Sequence, residues 1–238
     1  MSEISLENIF FSYSEKVHVL QELVLNIEPG EMYGLLGANG SGKTTTFKLL
    51  SGLLLPDEGT ITINGIDVIK SPMEAQKICA YLPDEPLIYP QLSALENLNM
   101  FALLWGVDDK VKIEERSKFL LREVGLWSVR NQLSNSYSRG MQQKLALCVA
   151  LIHEPKILFM DEPFTGLDIN AIIWARNLLK EYTESGNTVL FTSHIPELME
   201  SLASQIGILK NGAIVESKSV FQLKKEKQTA LDYYQKHI

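Results

Sequence analysis

Residues 37–44 form a glycine-rich loop with the sequence Gly37-Ala38-Asn39-Gly40-Ser41-Gly42-Lys43-Thr44. This loop matches the pattern G-x-x-x-x-G-K-[ST], in which backbone N–H groups wrap a chain of phosphates. The glycines let the backbone turn tightly and approach the phosphates without a side-chain clash. Lys43 can reach the β- and γ-phosphates, and the Thr44 hydroxyl can ligate Mg²⁺. We therefore predict that residues 37–44, with the adjoining Thr45, bind a nucleoside triphosphate.

The sequence on either side of the loop predicts the elements that position it. A short apolar stretch, residues 32–36, precedes the loop, and residues 45–55 have helical spacing. A helix that begins at the loop directs its positive end toward the phosphates. Residues 23–27 alternate between apolar and polar, and residues 60–66 alternate around an Asn-Gly pair, which is a hairpin signal. The N-terminal part is therefore predicted to contain short antiparallel strands.

The middle of the chain has a helical pattern. Ser93 and Glu96 fit a capping box at the start of one helix, and a second helical pattern runs from about residue 113 to residue 124 and ends at Gly125. Apolar strand patterns return at residues 157–160, 189–192 and 206–209, with helical patterns between them. This alternation predicts βαβ units and a mostly parallel sheet.

These patterns predict an α/β fold with an antiparallel N-terminal β subdomain and an inserted α-helical subdomain. We expect a nucleotide-binding domain over residues 1–217, with its core in residues 1–84 and 138–217 and its helical subdomain in residues 85–137. Residues 218–238 are predicted to be a helical extension, with one helix from Phe221 onward.

Two acidic residues follow the predicted strand at residues 157–160. Beside the phosphate loop, Asp161 can hold Mg²⁺ through water, and Glu162 can point toward the water that attacks the γ-phosphate. The alternative interpretation is an acidic turn before Pro163. The phosphate loop upstream favours the catalytic interpretation.

The composition excludes several classes of protein. The chain has 238 residues, with 22 basic and 29 acidic side chains and a net charge of −7, which argues against nonspecific nucleic-acid binding. Its longest apolar run, residues 145–152, is too short to cross a bilayer, and the N-terminus lacks the pattern of a signal peptide. Its two cysteines cannot make a disulfide framework, and Cys148 has the spacing of a core residue. We expect a cytosolic protein.

Together these residues resemble the ATP-binding cassette (ABC) ATPases, whose core is a RecA-like P-loop fold. Residues 137–144 (Tyr-Ser-Arg-Gly-Met-Gln-Gln-Lys) stand where this family has its Leu-Ser-Gly-Gly-Gln signature. Residues 165–168 (Thr-Gly-Leu-Asp) are similar to its D-loop, and residues 192–194 (Thr-Ser-His) are similar to the segment that carries its switch histidine. Tyr13 is placed like the aromatic residue that stacks on adenine. The resemblance covers about residues 3–217.

The resemblance implies the cofactors and the roles of individual residues. It implies ATP and Mg²⁺ as cofactors, and catalysis by Lys43, Glu162 and His194. It also implies that Ser138 and Gly140 close over the γ-phosphate held by a second nucleotide-binding domain, either an identical copy or a close paralogue. Asp168 would organise that interface.

The resemblance further implies where the protein works. Its other partners would be integral membrane transporter subunits, which would place it at the cytoplasmic face of the cell membrane. Tyr89 and Trp105 would flank a groove that receives a helix from the membrane partner, although core packing is the alternative for Trp105. No nucleic-acid partner is expected.

The sequence departs from the family pattern at three positions. Arg139 and Met141 replace the usual glycine and glutamine of the signature, and Arg139 either adds positive charge near ATP or lies on the surface. Asp84 replaces the usual Q-loop glutamine, so that either Asp84 or Glu85 ligates Mg²⁺ or this segment serves as a hinge for the helical lobe. Such departures resemble the branch of the family that serves bacterial exporters.

Two classes of function follow from the sequence. The first is the ATP-hydrolysing subunit of a membrane transporter, moved by ATP-driven closing and opening of a dimer. The second is a soluble mechanical ATPase that acts on a ribosome or DNA complex. The sequence shows no second cassette, no long coiled-coil insertion and no basic patch, which favours the transporter.

Overall fold

The computed structural model describes residues 2–237, and within them the chain forms ten strands and nine α-helices. The strands are β1 (Ile4–Ser14), β2 (Val17–Ile27), β3 (Met32–Leu36), β4 (Glu58–Ile63), β5 (Ile66–Asp67), β6 (Cys79–Leu82), β7 (Ile157–Met160), β8 (Thr188–Ser193), β9 (Gln205–Lys210) and β10 (Ala213–Ser219). The helices are α1 (Lys43–Leu50), α2 (Pro72–Lys77), α3 (Ala94–Leu104), α4 (Lys110–Glu123), α5 (Arg139–Leu151), α6 (Ile169–Glu184), α7 (Pro196–Leu202), α8 (Val220–Lys225) and α9 (Ala230–Gln235).

A four-stranded antiparallel sheet forms the N-terminal part, in the order β2-β1-β4-β5. The turn between β4 and β5 contains Asn64 with φ 48° and Gly65 with φ 75°. Two successive residues with positive φ are the mark of the hairpin turn that an Asn-Gly pair favours. The predicted antiparallel β subdomain and its hairpin are confirmed.

A six-stranded sheet forms the centre of the protein, in the order β10-β9-β3-β8-β7-β6. The five strands from β9 to β6 pair in parallel, and only β10 is antiparallel to its neighbour. Every residue of β7 and β8 is buried, as expected for strands with both faces covered. Because β3, β7 and β8 are parallel neighbours, the segments that follow them meet at one edge of the sheet.

The regular secondary structure between β6 and α5 is entirely helical. The capping box predicted for α3 is present, with Ser93 accepting from the Glu96 backbone and Glu96 accepting in return from the Ser93 backbone. Both α3 and α4 pack on α5 through fully buried side chains such as Leu98 and Leu121. Cys148 is only 1 % exposed on α5, which confirms its prediction as a core residue.

Two sequence-based predictions of helices were wrong in their extent. Helix α1 ends at Leu50 rather than Leu55, because the chain turns at Gly52, which has φ 71°. The single helix predicted from Phe221 is two short helices, α8 and α9. Lys227 between them has φ 56°, and Thr229 caps α9 as a new N-terminus.

None of the described helices is both long enough and apolar enough to cross a bilayer.

Candidate functional site

The phosphate loop connects the end of β3 to the start of α1, and its shape depends on glycine. A Cβ atom at Gly37 would lie 2.5 Å from the carbonyl oxygen of Leu209 in β9. At Gly42 the backbone has φ 111°, and a Cβ atom would lie 2.6 Å from Cδ2 of Leu20. Both positions therefore exclude a larger residue, and the loop is held against β9 and β2.

Lys43 is the first residue of α1, and its side chain folds back under the loop. Its Nζ atom donates to the carbonyl oxygens of Gly37, at 2.8 Å, and Ala38, at 3.2 Å. Burial lowers the pKa of the Lys43 ammonium from its usual value, and the carboxylates of Glu162 and Asp161 oppose this shift. The loop thus places a buried cation where a phosphate chain would lie.

Beneath the loop, a chain of hydrogen bonds joins the start of α1 to the ends of β7 and β8. The Thr44 hydroxyl donates to Asp161 Oδ2 at 2.5 Å, and the Thr192 hydroxyl donates to Asp161 Oδ1 at 2.6 Å. Asp161 is 3 % exposed, so that both oxygens of a buried carboxylate have a donor. Thr44 and Asp161 were predicted at this site, whereas no role was predicted for Thr192 itself. Its signal in the sequence was a hydroxyl directly after the three apolar residues 189–191 of β8.

Glu162 lies at the edge of the same site in a conformation that is rare for its residue type. Its backbone has φ 47°, and its N–H donates to the Thr192 hydroxyl at 2.9 Å. One carboxylate oxygen of Glu162 lies 2.9 Å from Nδ1 of His194, which follows β8. Left-handed backbone at a non-glycine residue costs energy and is concentrated at functional sites. The two strand ends therefore present Glu162 and His194 as a pair.

One cavity of about 370 Å³ collects most of the residues predicted to bind nucleotide and metal. It is lined by Tyr13, Val19, Asn39, Gly40, Gly42, Lys43, Thr44, Thr45, Asp84, Asp161 and Glu162. Tyr13 is 53 % exposed at its mouth, and its hydroxyl lies 3.3 Å from that of Thr45. Val19, an apolar residue of β2, also lines this cavity and was not among the predicted residues.

Two loop residues predicted to bind nucleotide face a neighbouring depression instead. Ala38 and Ser41 line a space of about 230 Å³ together with the end of β9 and Tyr234. The carbonyl oxygen of Gly37 accepts a hydrogen bond from Lys43, and Gly37 does not line the main cavity. Glu85, the alternative to Asp84, does not line the main cavity.

The signature residues lie on a second surface, outside this cavity. Ser138 caps α5 by accepting from the Met141 backbone at 3.3 Å, and both Ser138 and Arg139 are exposed at this N-terminus. Asp168 caps α6 in the same way, accepting from the Ala171 backbone at 2.9 Å. Arg139 lies over Gly166: its Cδ and Nε atoms are 3.3 Å from the position that a Cβ atom would take at Gly166. Gly140 packs near Leu167, which brings the signature and residues 165–168 together.

The family profile described as "ABC transporter" matches residues 20–165, more than half of the chain. The chain belongs to the ABC transporter family. The ATP-binding protein NatA of Bacillus subtilis (strain 168) is 36% identical over 200 residues, which cover 84% of this chain and 81% of NatA. The bacitracin transport ATP-binding protein BcrA of Enterococcus faecalis is 32% identical over 231 residues, which cover 97% of this chain and 73% of BcrA.

Solved structures of ABC ATPases share the fold. An ATP-binding subunit of an ABC transporter superposes with a TM-score of 0.86 at 30% identity, over 95% of this chain and 93% of that one. The dimeric ATP-binding cassette MJ0796, in a post-hydrolysis state bound to ADP and Pi, superposes with a TM-score of 0.83 at 25% identity, over 91% of this chain and 98% of that one. The predicted α/β P-loop fold is confirmed.

Membership of the ABC family establishes the general activity of the chain. This ABC ATPase binds and hydrolyses ATP and serves as an ATP-powered subunit of a membrane transporter. ABC ATPases pair as dimers and associate with membrane transporter subunits. The alternative of a mechanical ATPase acting on a ribosome or DNA complex is not favoured.

Proposed function

We propose that this ABC ATPase hydrolyses ATP between two copies arranged head to tail, or between one copy and a close paralogue. The observation that carries the proposal is the separation of the motif residues onto two surfaces. Lys43 and Glu162 line the cavity, whereas Ser138 and Asp168 lie outside it. A helix N-terminus such as that of α5 attracts an anion. In the proposed dimer, Ser138 and Gly140 of one copy cover the γ-phosphate held by the other, and Asp168 lies at the interface.

Within each site, the residues of one chain divide the work of phosphoryl transfer. Lys43 and the backbone of residues 37–45 bind the phosphates, and Tyr13 packs against the adenine. Glu162 accepts a proton from the attacking water, because its carboxylate lies at the edge of the cavity and its backbone is fixed by Thr192. His194 holds the Glu162 carboxylate in place and contacts the γ-phosphate.

The donor atoms beneath the phosphate loop fit Mg²⁺. The Thr44 hydroxyl and the Asp161 carboxylate are adjacent oxygen donors, the kind that Mg²⁺ prefers. When bound, the ion neutralises negative charge on the β- and γ-phosphates. Asp84 faces the same cavity and supplies a further oxygen, which favours the metal-ligand alternative for Asp84 over Glu85.

A second cavity suggests where the membrane subunit binds. About 280 Å³ of space lies between the α1–α2 region and the end of α3, and its lining includes Leu53, Leu87 and Trp105, which are all exposed. We propose that an apolar helix of the membrane subunit docks here and that the chain therefore works at the cytoplasmic face of the membrane. BcrA is named as a bacitracin transport protein, which supports a role in transport, and we propose that the direction is export.

The domain limits remain predictions. We propose that residues 1–84 and 138–217 act as the nucleotide-binding core, with residues 85–137 as a helical subdomain that moves on it. The regular structure described between β6 and α5 is helical, which supports this division. Residues 218–238 are proposed as a C-terminal extension, although β10 runs to Ser219.

Complementation between two inactive variants tests the head-to-tail arrangement. Lys43→Ala removes the phosphate-binding cation, whereas Ser138→Asp keeps a good helix cap and places a negative charge toward the partner's phosphate. A mixed dimer then contains one site with both defects and one intact site. ATPase activity that returns when the two inactive proteins are mixed supports the proposal. A mixture that stays inactive, after native gel or light scattering shows that mixed dimers form, contradicts it.

A further inference from the structure

A histidine outside the ATP site links the core to the helical segment. His153 follows α5, and its ring stacks on the indole of Trp105 at the end of α3. The ring centroids lie 4.2 Å apart, with an angle of 16° between the planes. His153 Nε2 lies 3.0 Å from the carbonyl oxygen of Cys79, the first residue of β6. The His153 side chain therefore contacts both the end of α3, in the helical segment, and β6, in the central sheet.

The hydrogen bonds of His153 define its chemical form. A carbonyl oxygen only accepts, so Nε2 carries the proton and donates to Cys79. Nδ1 is buried and has no hydrogen-bond partner among the described residues, so a second proton there would have no acceptor. Burial also lowers the pKa of the imidazole below its usual value. His153 is therefore a neutral, flat ring, suited to packing face to face with an indole.

Trp105 is partly exposed, which distinguishes this stack from packing within the core. The indole is 38 % exposed and lines the proposed docking cavity, together with Cys79. One face of the indole rests on His153, so loss of the imidazole would remove this support. The stack thus fixes part of the wall of an open cavity.

Helix α5 connects this stack to the signature. It begins at the Ser138 cap and ends at Leu151, and its 13 residues span about 20 Å. Its far end is tied to α4, because Arg116 donates to the Leu151 carbonyl oxygen at 3.3 Å and Lys112 pairs with Glu154 at 2.7 Å. A displacement of Ser138 by partner ATP would therefore be carried along a rigid helix toward His153.

We propose that His153 is a positioning residue that holds Trp105 against the core and transmits the movement of α5 to the docking cavity. The holding role depends only on the contacts described above. The transmitting role rests on the proposed function, since it requires Ser138 to meet ATP held by a second copy. The two roles need separate measurements.

Tryptophan fluorescence tests the holding role in the full chain without nucleotide. Trp127→Phe and Trp174→Phe leave Trp105 as the only indole. His153→Leu removes the flat ring and the hydrogen bond, and His153→Phe keeps a flat ring. Loss of an aromatic stack should change, by about two- to tenfold, the equilibrium between an indole packed on residue 153 and an indole moved away from it. We expect a red-shifted emission and faster acrylamide quenching in His153→Leu, with a smaller change in His153→Phe.

Two results bear directly on the holding role. The same His153→Leu change in a chain that keeps only Trp127 is the control, and its emission should stay constant. Equal quenching of Trp105 with and without His153→Leu would overturn the role. If His153→Leu does not fold, the comparison is made with His153→Phe, in which release of the hydrogen bond to Cys79 must still raise quenching above that of the parent.

Addition of ATP to the Glu162→Gln variant of the Trp105-only chain tests the transmitting role. Light scattering reports dimer formation, and Trp105 emission reports the state of the cavity wall. We expect the emission to shift on dimerisation when His153 is present and the shift to be lost in His153→Leu. Dimerisation without an emission shift would overturn transmission and leave the proposed function intact. Failure to dimerise would overturn the proposed function and, with it, the transmitting role. The holding role would still be decided by the quenching measurement.

Discussion

His194 Nδ1 and Glu162 Oε2 lie 2.9 Å apart, although the two residues are separated by 32 positions in the chain. The contact arises because β7 and β8 are parallel neighbours that end at the same edge of the sheet. The Glu162 side chain is 16 % exposed and that of His194 is 56 % exposed, so the pair reaches from the interior toward the surface. In the proposed dimer, the exposed His194 would orient the Glu162 carboxylate and would itself be accessible to the second copy.

His194→Ala should slow ATP hydrolysis while ATP still binds. The variant removes the partner that orients Glu162, and loss of a positioned acid–base group costs on the order of 10²-fold in rate. Steady-state phosphate release and nucleotide binding measure the two effects. His18→Ala is the control, because His18 is exposed and the one side-chain hydrogen bond of its ring among the described residues is with the Ser12 hydroxyl, at 2.9 Å. Turnover at the parent rate in His194→Ala would contradict the assignment.

Thr192→Val should destabilise the protein and slow its turnover. The valine is similar in shape but leaves the Glu162 N–H and one Asp161 oxygen without their partner. An unsatisfied buried polar group costs about 1–3 kcal/mol in the free energy of unfolding. Urea denaturation measures this loss, and Thr192→Ser, which keeps the hydroxyl, should recover most of it. If the valine and serine variants are equally stable, the hydroxyl is not holding Asp161 and Glu162.

Asp84→Asn should raise the Mg²⁺ concentration needed for half-maximal ATPase activity. The substitution keeps the shape of the side chain and removes a negative charge from the cavity. Loss of a supporting ligand typically weakens metal binding about tenfold or more. Glu85→Gln is the matched control, because Glu85 does not line the cavity. An unchanged Mg²⁺ requirement in Asp84→Asn would leave the lobe hinge as the role of this segment.

The stability of the protein should fall as the pH drops below about 6.5, and His153 should account for part of the loss. Burial lowers the pKa of His153 from its usual value of 6.5, so the unfolded chain takes up this proton at a higher pH than the folded one. Protonation therefore favours unfolding as the pH falls toward the folded pKa. The salt bridge of the adjacent Glu154 with Lys112 weakens only at lower pH, because it lowers the pKa of Glu154.

Urea denaturation at about pH 7.5 and about pH 5.5 checks this prediction. His153→Phe cannot take up the proton, so its free energy of unfolding should fall less between the two conditions than that of the parent. An equal fall in the two proteins would contradict a buried, neutral His153.

The phosphate loop was predictable at its place between β3 and α1 because its pattern lies in the consecutive residues 37–44. The acidic pair after β7 was also compatible with an acidic turn, and only the phosphate loop upstream favoured a catalytic role for it. The direct hydrogen bond between Thr44 and Asp161 was not predictable, since it depends on strands brought together across 117 positions. Thr192 was missed for the same reason: its hydroxyl acquires a role only when β8 lies beside β7.

Other features depend on packing that a single sequence does not encode locally. The helical spacing after Phe221 predicted one helix, but the left-handed conformation at Lys227 divides it into α8 and α9. Arg139 remained open between two roles, and the structure places its stem over Gly166. His153 belongs to no motif, and its contacts became visible only when the end of α3 and β6 were both in place.

The most direct test of the head-to-tail proposal is the mass of Glu162→Gln in solution with and without ATP and Mg²⁺. The substitution removes the base that activates water but leaves Lys43 and Ser138 intact, so ATP should hold two copies together without being consumed. Multi-angle light scattering should give the mass of one chain without nucleotide and of two chains with ATP, and Lys43→Ala in the same background should prevent the change. A single-chain mass in both conditions, with ATP shown to be bound, would contradict the proposal that two copies share the nucleotide.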